Sequence, residues 1–191
     1  MEKLVHKGTK MNRKLLVLTT LLLCVVMASA QDNFQPKTVF LIRHAEREDE
    51  PRQDPSLKKE GVARAQELAR LLANAGIKAI YTSQFARTKQ TAEPLATKLG
   101  LTLASISLKS NPANPRQIAE ESTSEVVNKI MERTGENVLV VGHSNSISDV
   151  IKMLGGDVVP TIDERKFDDL FIVTVYAKGK AKVTHMKYGA E

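Results

Sequence analysis

Two stretches of this chain, Val39–Ile42 (VFLI) and Val138–Val141 (VLVV), place four apolar residues in a row with nothing polar between them. A strand with one wet face alternates; an unbroken run suits a strand buried on both faces. A sheet covered on both faces is characteristically a mostly parallel one, sandwiched between helices. The first run belongs to Thr38–Glu50, TVFLIRHAEREDE, where the apolar half gives way at once to Arg43-His44 and a cluster of charges. In open α/β sheets the carboxyl ends of the strands are where ligands are met.

The rest of the chain fits that frame. Strands are expected at Lys37–Arg43, Ile77–Thr82, Leu101–Ile106 and Val138–Val141, and helices at Leu57–Ala75, Gln84–Lys98, Gln117–Arg133 and Ile147–Leu154. In the first helix Val62, Ala65, Leu68, Ala69 and Leu72 recur at helical spacing, and Gly76 stops it. Asn111–Arg116 (NPANPR) reads as a loop. Two β-rich runs, Leu170–Ala177 and Ala181–Lys187, flank a turn at Gly179 and read as a hairpin. The expectation is a three-layer α/β/α sandwich with a mostly parallel sheet, one antiparallel strand and a C-terminal hairpin.

Residues 1–30 read differently. Five basic residues between Lys3 and Lys14 precede LLVLTTLLLCVVMA, and a small-residue segment (Ala28-Ser29-Ala30) follows. These are the three parts of a secretory signal peptide. This fourteen-residue run falls short of the roughly 20 that span a bilayer. The expected organisation is a leader over 1–30, with Met11 as an alternative start, and one domain over 31–191. The product would be exported, periplasmic or extracellular, with no stable membrane insertion once the leader is cleaved. Cys24, the single cysteine, lies in the leader, so neither disulfides nor thiol chemistry is expected afterwards. The leader also holds five of the 28 basic residues and one of the 22 acids, leaving 23 against 21. A balance of about +2 gives no footprint for nucleic acid, and with Trp absent there is no stacking platform for single strands.

Three charged sites follow predicted strands: Arg43-His44, then Arg87 in TSQFARTKQTA, then His143 in VLVVGHSNS. Arginine forks bind phosphate through paired, charge-assisted hydrogen bonds. Histidine serves as covalent nucleophile or as acid and base. Helix N-termini after Ser83 and after His143 would add backbone donors. The set suits phosphoryl transfer, which asks mainly for positioning and charge neutralisation. Metal-ligand spacings, glycine-rich phosphate loops and dinucleotide fingerprints are absent, so no metal or organic cofactor is expected.

With these residues in view, the chain resembles the histidine phosphatase (phosphoglycerate mutase-like) superfamily. The resemblance rests on the tripeptide Arg43-His44-Ala45; on Thr82, Ser83, Arg87, Thr88, Gln90, Thr91 and Ala92; on Gly142-His143 after an apolar strand; and on Leu57, Gly61, Arg64, Ala65, Leu68, Ala69 and Leu72 between them. It implies that His44 is the nucleophile that becomes phosphohistidine, with Arg43, Arg87 and His143 holding the phosphoryl oxygens. Arg47, three residues after His44, matches a further phosphate-binding arginine of one branch; the alternative is a solvated loop charge. Ser83 and Asn145 flank the site, where helix capping explains them as well as substrate contact does. Arg64 is expected to be a surface or helix-supporting residue, and His185 a surface or sheet-packing one.

The family's general acid has no clear counterpart. Glu120 and Glu121 fall on a predicted helix as surface charges, Ser144 and Asn145 stand where another branch keeps an aspartate, and Glu46 is a further candidate. The expected function is a phosphatase of phosphomonoesters acting on a small phosphorylated substrate. The alternatives are a phosphohistidine phosphatase, a mutase and a non-catalytic phosphate-binding protein. Nothing in the sequence indicates the oligomeric state.

Overall fold

The computed structural model describes residues 34–189; the leader expected over 1–30 lies outside them. Eight strands and four helices are described: β1 (Lys37–Arg43), α1 (Lys59–Leu72), β2 (Ile77–Ser83), α2 (Ala86–Leu99), β3 (Leu103–Ile106), β4 (Ser110–Asn111), β5 (Asn114–Ile118), α3 (Glu120–Met131), β6 (Asn137–Gly142), α4 (Ser144–Met153), β7 (Asp169–Ala177) and β8 (Lys180–Lys187). Six of the strands form one sheet in the order β3-β2-β6-β1-β7-β8. The first four are mutually parallel, β7 runs against β1, and β8 turns back against β7. This is the expected sandwich, with β7 as its antiparallel strand.

Alternation along β1 and β6 divides the core in two. Val39, Leu41, Val138 and Val140 face α3 and α4, meeting Val126, Ile130, Ile147 and Ile151. Phe40, Ile42, Leu139 and Val141 face the other way, against Leu68, Leu72 and Leu95 of α1 and α2. The apolar runs are thus continuous because each neighbouring residue fills a different layer.

One expectation is corrected. Asn111–Arg116 is not a loop: β4 and β5 pair as a two-stranded antiparallel sheet, Ser110 with Ile118 and Asn111 with Asn114. Pro112 and Pro115 argue against a central strand, but this pair stands apart from the main sheet, where a proline interrupts no central ladder. The helices also begin and end a few residues from their expected limits; α4 starts directly after His143 rather than at Ile147. No helix among the described residues is long and apolar enough to cross a membrane.

Candidate active site

The register of the central strands brings the chemistry together. Arg43 is opposite Gly142 in the β1–β6 ladder, so the next residues, His44 and His143, emerge side by side. Their rings lie 5.3 Å apart, edge to face. Thr82 of β2 pairs with Val141, which sets Ser83 beside the same strand end. Arg43, His44, Arg47, Arg87 and His143 line one cavity of about 290 Å³, along with Phe85, Leu108, Ser110, Ile118, Ser144, Asn145 and Glu164. All five candidate residues therefore share a cavity, Arg47 included.

His44 is fixed by its backbone and its ring. Its amide donates to the Gly142 carbonyl at 2.9 Å, and Nδ1 lies 2.8 Å from the Ala45 carbonyl oxygen. A carbonyl only accepts, so Nδ1 carries the proton and Nε2 keeps its lone pair. Burial, the first cause, and the guanidiniums of Arg43, Arg87 and Arg47 lower the His44 pKa to about 3, although the Ala45 carbonyl opposes the shift. His143 is likewise lowered to about 3, by burial and then by His44, Arg87 and Arg43. Both rings are neutral at ordinary pH, as a nitrogen nucleophile must be.

The supports are hydroxyls from the second motif. Ser83 Oγ lies 2.9 Å from His143 Nε2 and 2.9 Å from Thr88 Oγ1. Thr88 Oγ1 in turn donates to the Phe85 carbonyl at 2.9 Å. With that proton committed, Ser83 donates to Thr88 and accepts from His143 Nε2. Thr91 ties the two motifs: its Oγ1 accepts from the Ala45 amide at 2.9 Å and donates to the Arg87 carbonyl at 2.7 Å. The N-terminus of α2 is already occupied, since the Ala86 amide donates to Asp54 Oδ1 at 2.8 Å. Both helix N-termini expected as anion donors border the cavity, α2 through Phe85 and Arg87 and α4 through Ser144 and Asn145, but the first amide of α2 is taken by Asp54.

The cationic charge is only partly answered by protein. Arg43 Nη1 donates to the carbonyls of Asp163, Glu164 and Lys166, and Arg87 stands 3.8 Å from Asp54. The Nε of each is buried without a partner. Two rings that the sequence did not flag pack against the cations, Phe85 on the cavity wall and Phe167 against Arg43 and His44. Arg87 lies over Phe85 and Arg43 over Phe167, each 4.2 Å from the ring centre. Phe85 then meets His143 at 5.5 Å, and Phe167 meets His44 at 5.8 Å. Phe85 sits inside a recognised motif at a position without chemistry of its own, and Phe167 sits in none, so periodicity gave no signal for either.

Residues outside the cavity have structural partners. Glu46 is not available as an acid: its carboxylate accepts a fork from Arg64 at 2.8–3.0 Å. Arg64 also donates to the Tyr188 carbonyl, joining the loop after His44 to the end of the chain. Glu120 and Glu121 border a different surface groove on α3. His185 pairs with Asp169 at 2.6 Å and stacks on Phe171. Among the described residues no cluster of His, Cys, Asp and Glu could hold a metal ion.

Comparison with known proteins bears on the family and the fold. Residues 39–108 match the model of the histidine phosphatase superfamily (branch 1). No curated protein matches the chain in sequence. Solved structures similar in fold include a phosphoglycerate mutase from Bacillus anthracis (19% identity, TM-score 0.63, 81% of this chain and 94% of that one). Another is the protein histidine phosphatase SixA complexed with tungstate (18%, 0.61, 78% and 96%). A third is a mycobacterial glucosyl-3-phosphoglycerate phosphatase (12%, 0.58, 82% and 100%). At these identities the likeness is one of fold.

Proposed function

We propose that this member of the histidine phosphatase superfamily is an exported phosphatase that hydrolyses phosphomonoesters through a phosphohistidine on His44. One observation carries the reading: His44 Nδ1–H is tied to the Ala45 carbonyl, leaving Nε2 as a neutral nucleophile in a cavity shared with three arginines and a second histidine. Nε2 attacks phosphorus as the ester P–O bond breaks. Arg43, Arg87 and Arg47 offer donors to the equatorial oxygens, and His143 stands beside them. Water then attacks the phosphohistidine, the N–P bond breaks, and phosphate leaves. The charge neutralisation that a metal would supply comes from guanidiniums, so the reaction needs none.

The test is phosphate release from a panel of phosphomonoesters, sugar phosphates and phosphohistidine by residues 31–191, with chelator present and His44→Ala alongside. Turnover that disappears in His44→Ala, with acid-labile phosphate trapped on the unaltered protein, supports the reading. Undiminished turnover in His44→Ala overturns it. A phosphohistidine substrate is the second reading. It rests on the fold shared with the protein histidine phosphatase SixA; the panel ranks the two directly. Mutase activity requires the substrate to be retained between two transfers; among the described residues, β4–β5 and the Glu164 segment border the cavity.

A further inference from the structure

An alkoxide is a poor leaving group, so ester hydrolysis at His44 needs a proton donor, and the residues expected from sequence do not provide one. Glu46 is forked to Arg64. Asp54 accepts from the Ala86 amide and faces Arg87. Glu120 and Glu121 border another groove. Asp163 is turned to Arg165, whose backbone and side chain it binds at 2.9–3.1 Å. Among the described residues, one acidic residue borders the cavity with His44 and His143, Glu164, and its charge reaches Arg43.

We infer that Glu164 is the general acid and base of the reaction, which rests on the phosphatase reading above. Its place is set by the site itself. The carbonyls of Asp163, Glu164 and Lys166 close around Arg43 Nη1, so the segment is built onto the guanidinium that binds the phosphoryl group. Phe167 follows, packing on both Arg43 and His44. The Glu164 side chain is exposed at the cavity wall, no described residue forms a salt bridge with it, and its charge acts on Arg43. In the first half-reaction, the His44 Nε2–P bond forms and the ester P–O bond breaks. The Glu164 proton passes to the bridging oxygen, giving a neutral alcohol and a carboxylate. In the second, that carboxylate takes a proton from the attacking water as the N–P bond breaks, which restores Glu164 and frees His44.

The experiment compares two esters in Glu164→Gln. For a glycerol phosphate, whose alkoxide needs the proton, kcat/KM falls roughly 100-fold or more, the range a positioned acid supplies. For 4-nitrophenyl phosphate, whose phenolate leaves unaided, it falls by less than about tenfold. Inhibition by inorganic phosphate stays within about twofold if Arg43 is still in place, and Glu164→Asp recovers part of the alkyl-ester rate. Equal losses for the two esters, or weakened phosphate inhibition with the same losses, overturn Glu164 as the acid and leave the phosphatase reading standing. An unaltered protein that releases phosphate from neither ester overturns both.

Discussion

At the scale of single residues, the site depends on histidines that stay unprotonated and on arginines that cannot be replaced by point charges. Unfolded, each imidazole takes a proton near pH 6.5; folded, His44 and His143 take one only near 3. Between those values the unfolded chain binds more protons, so stability is full above 6.5 and is lost as the pH falls. By pH 5 the loss is on the order of 2 kcal/mol per histidine. Thermal unfolding at pH 7.5 and pH 5 checks this: the melting temperature drops, less so in His44→Asn, and added phosphate restores part of the drop because an anion favours the imidazolium. A melting temperature flat across that range contradicts burial as the cause of the shift. Arg87→Lys keeps the charge but loses both the paired donors and the planar contact with Phe85. A loss of roughly 10–100-fold in kcat/KM is expected, the worth of one or two charged hydrogen bonds, with the melting temperature little changed; steady-state kinetics reads the first and thermal unfolding the second.

At the scale of elements, the loop after β1 is held from below by α1, and the helix has been shaped to let it pass. A Cβ on Gly61 would stand 2.1 Å from the Glu46 carbonyl oxygen, which is itself the acceptor for the Lys58 amide. Gly61→Ala therefore moves the backbone two residues from His44. It is expected to destabilise by about 1–3 kcal/mol and to lower kcat as well, which denaturant unfolding and kinetics measure separately. Replacing Arg64 by Met leaves Glu46 half-buried without its fork and costs about 2 kcal/mol; removing both, as Glu46→Gln with Arg64→Met, costs less than the sum. The Arg64–Glu46 pair illustrates what could be read in advance. The six strands of the main sheet, the four helices and the arginines and histidines of the cavity were legible because runs of apolar residues, helical spacing and chemical motifs are local signals. The partnership of Arg64 with Glu46, and the approach of Phe167 and Glu164 to Arg43, were not legible, because each depends on segments brought together only by the finished sheet. The β4–β5 pair was hidden for another reason: two prolines and short strands carry no period-2 signal.

At the scale of the whole molecule, both cores are complete within the described residues. The layer under α3 and α4 runs from Val39 to Ala181, and the layer under α1 and α2 runs from Phe40 to Tyr188. Tyr188 is 5% exposed and closes the second core at the far end of the chain. Residues 1–30 lie outside the described residues, and their basic and apolar halves have the pattern of a leader. Two outcomes follow from a division of labour of that kind. Residues 31–191 expressed alone should melt within about 2 °C of the full chain and hydrolyse the same esters, since a change of about 1 kcal/mol would already move a domain of this size by 2–4 °C. The full chain expressed in a bacterial host should appear outside the cytoplasm with Gln31 as its first residue, by mass spectrometry of the intact protein. A mature mass that still includes residues 1–30, or retention in the membrane fraction, rules out cleavage and makes the segment an anchor; the catalytic domain would then work at a membrane surface rather than in free solution.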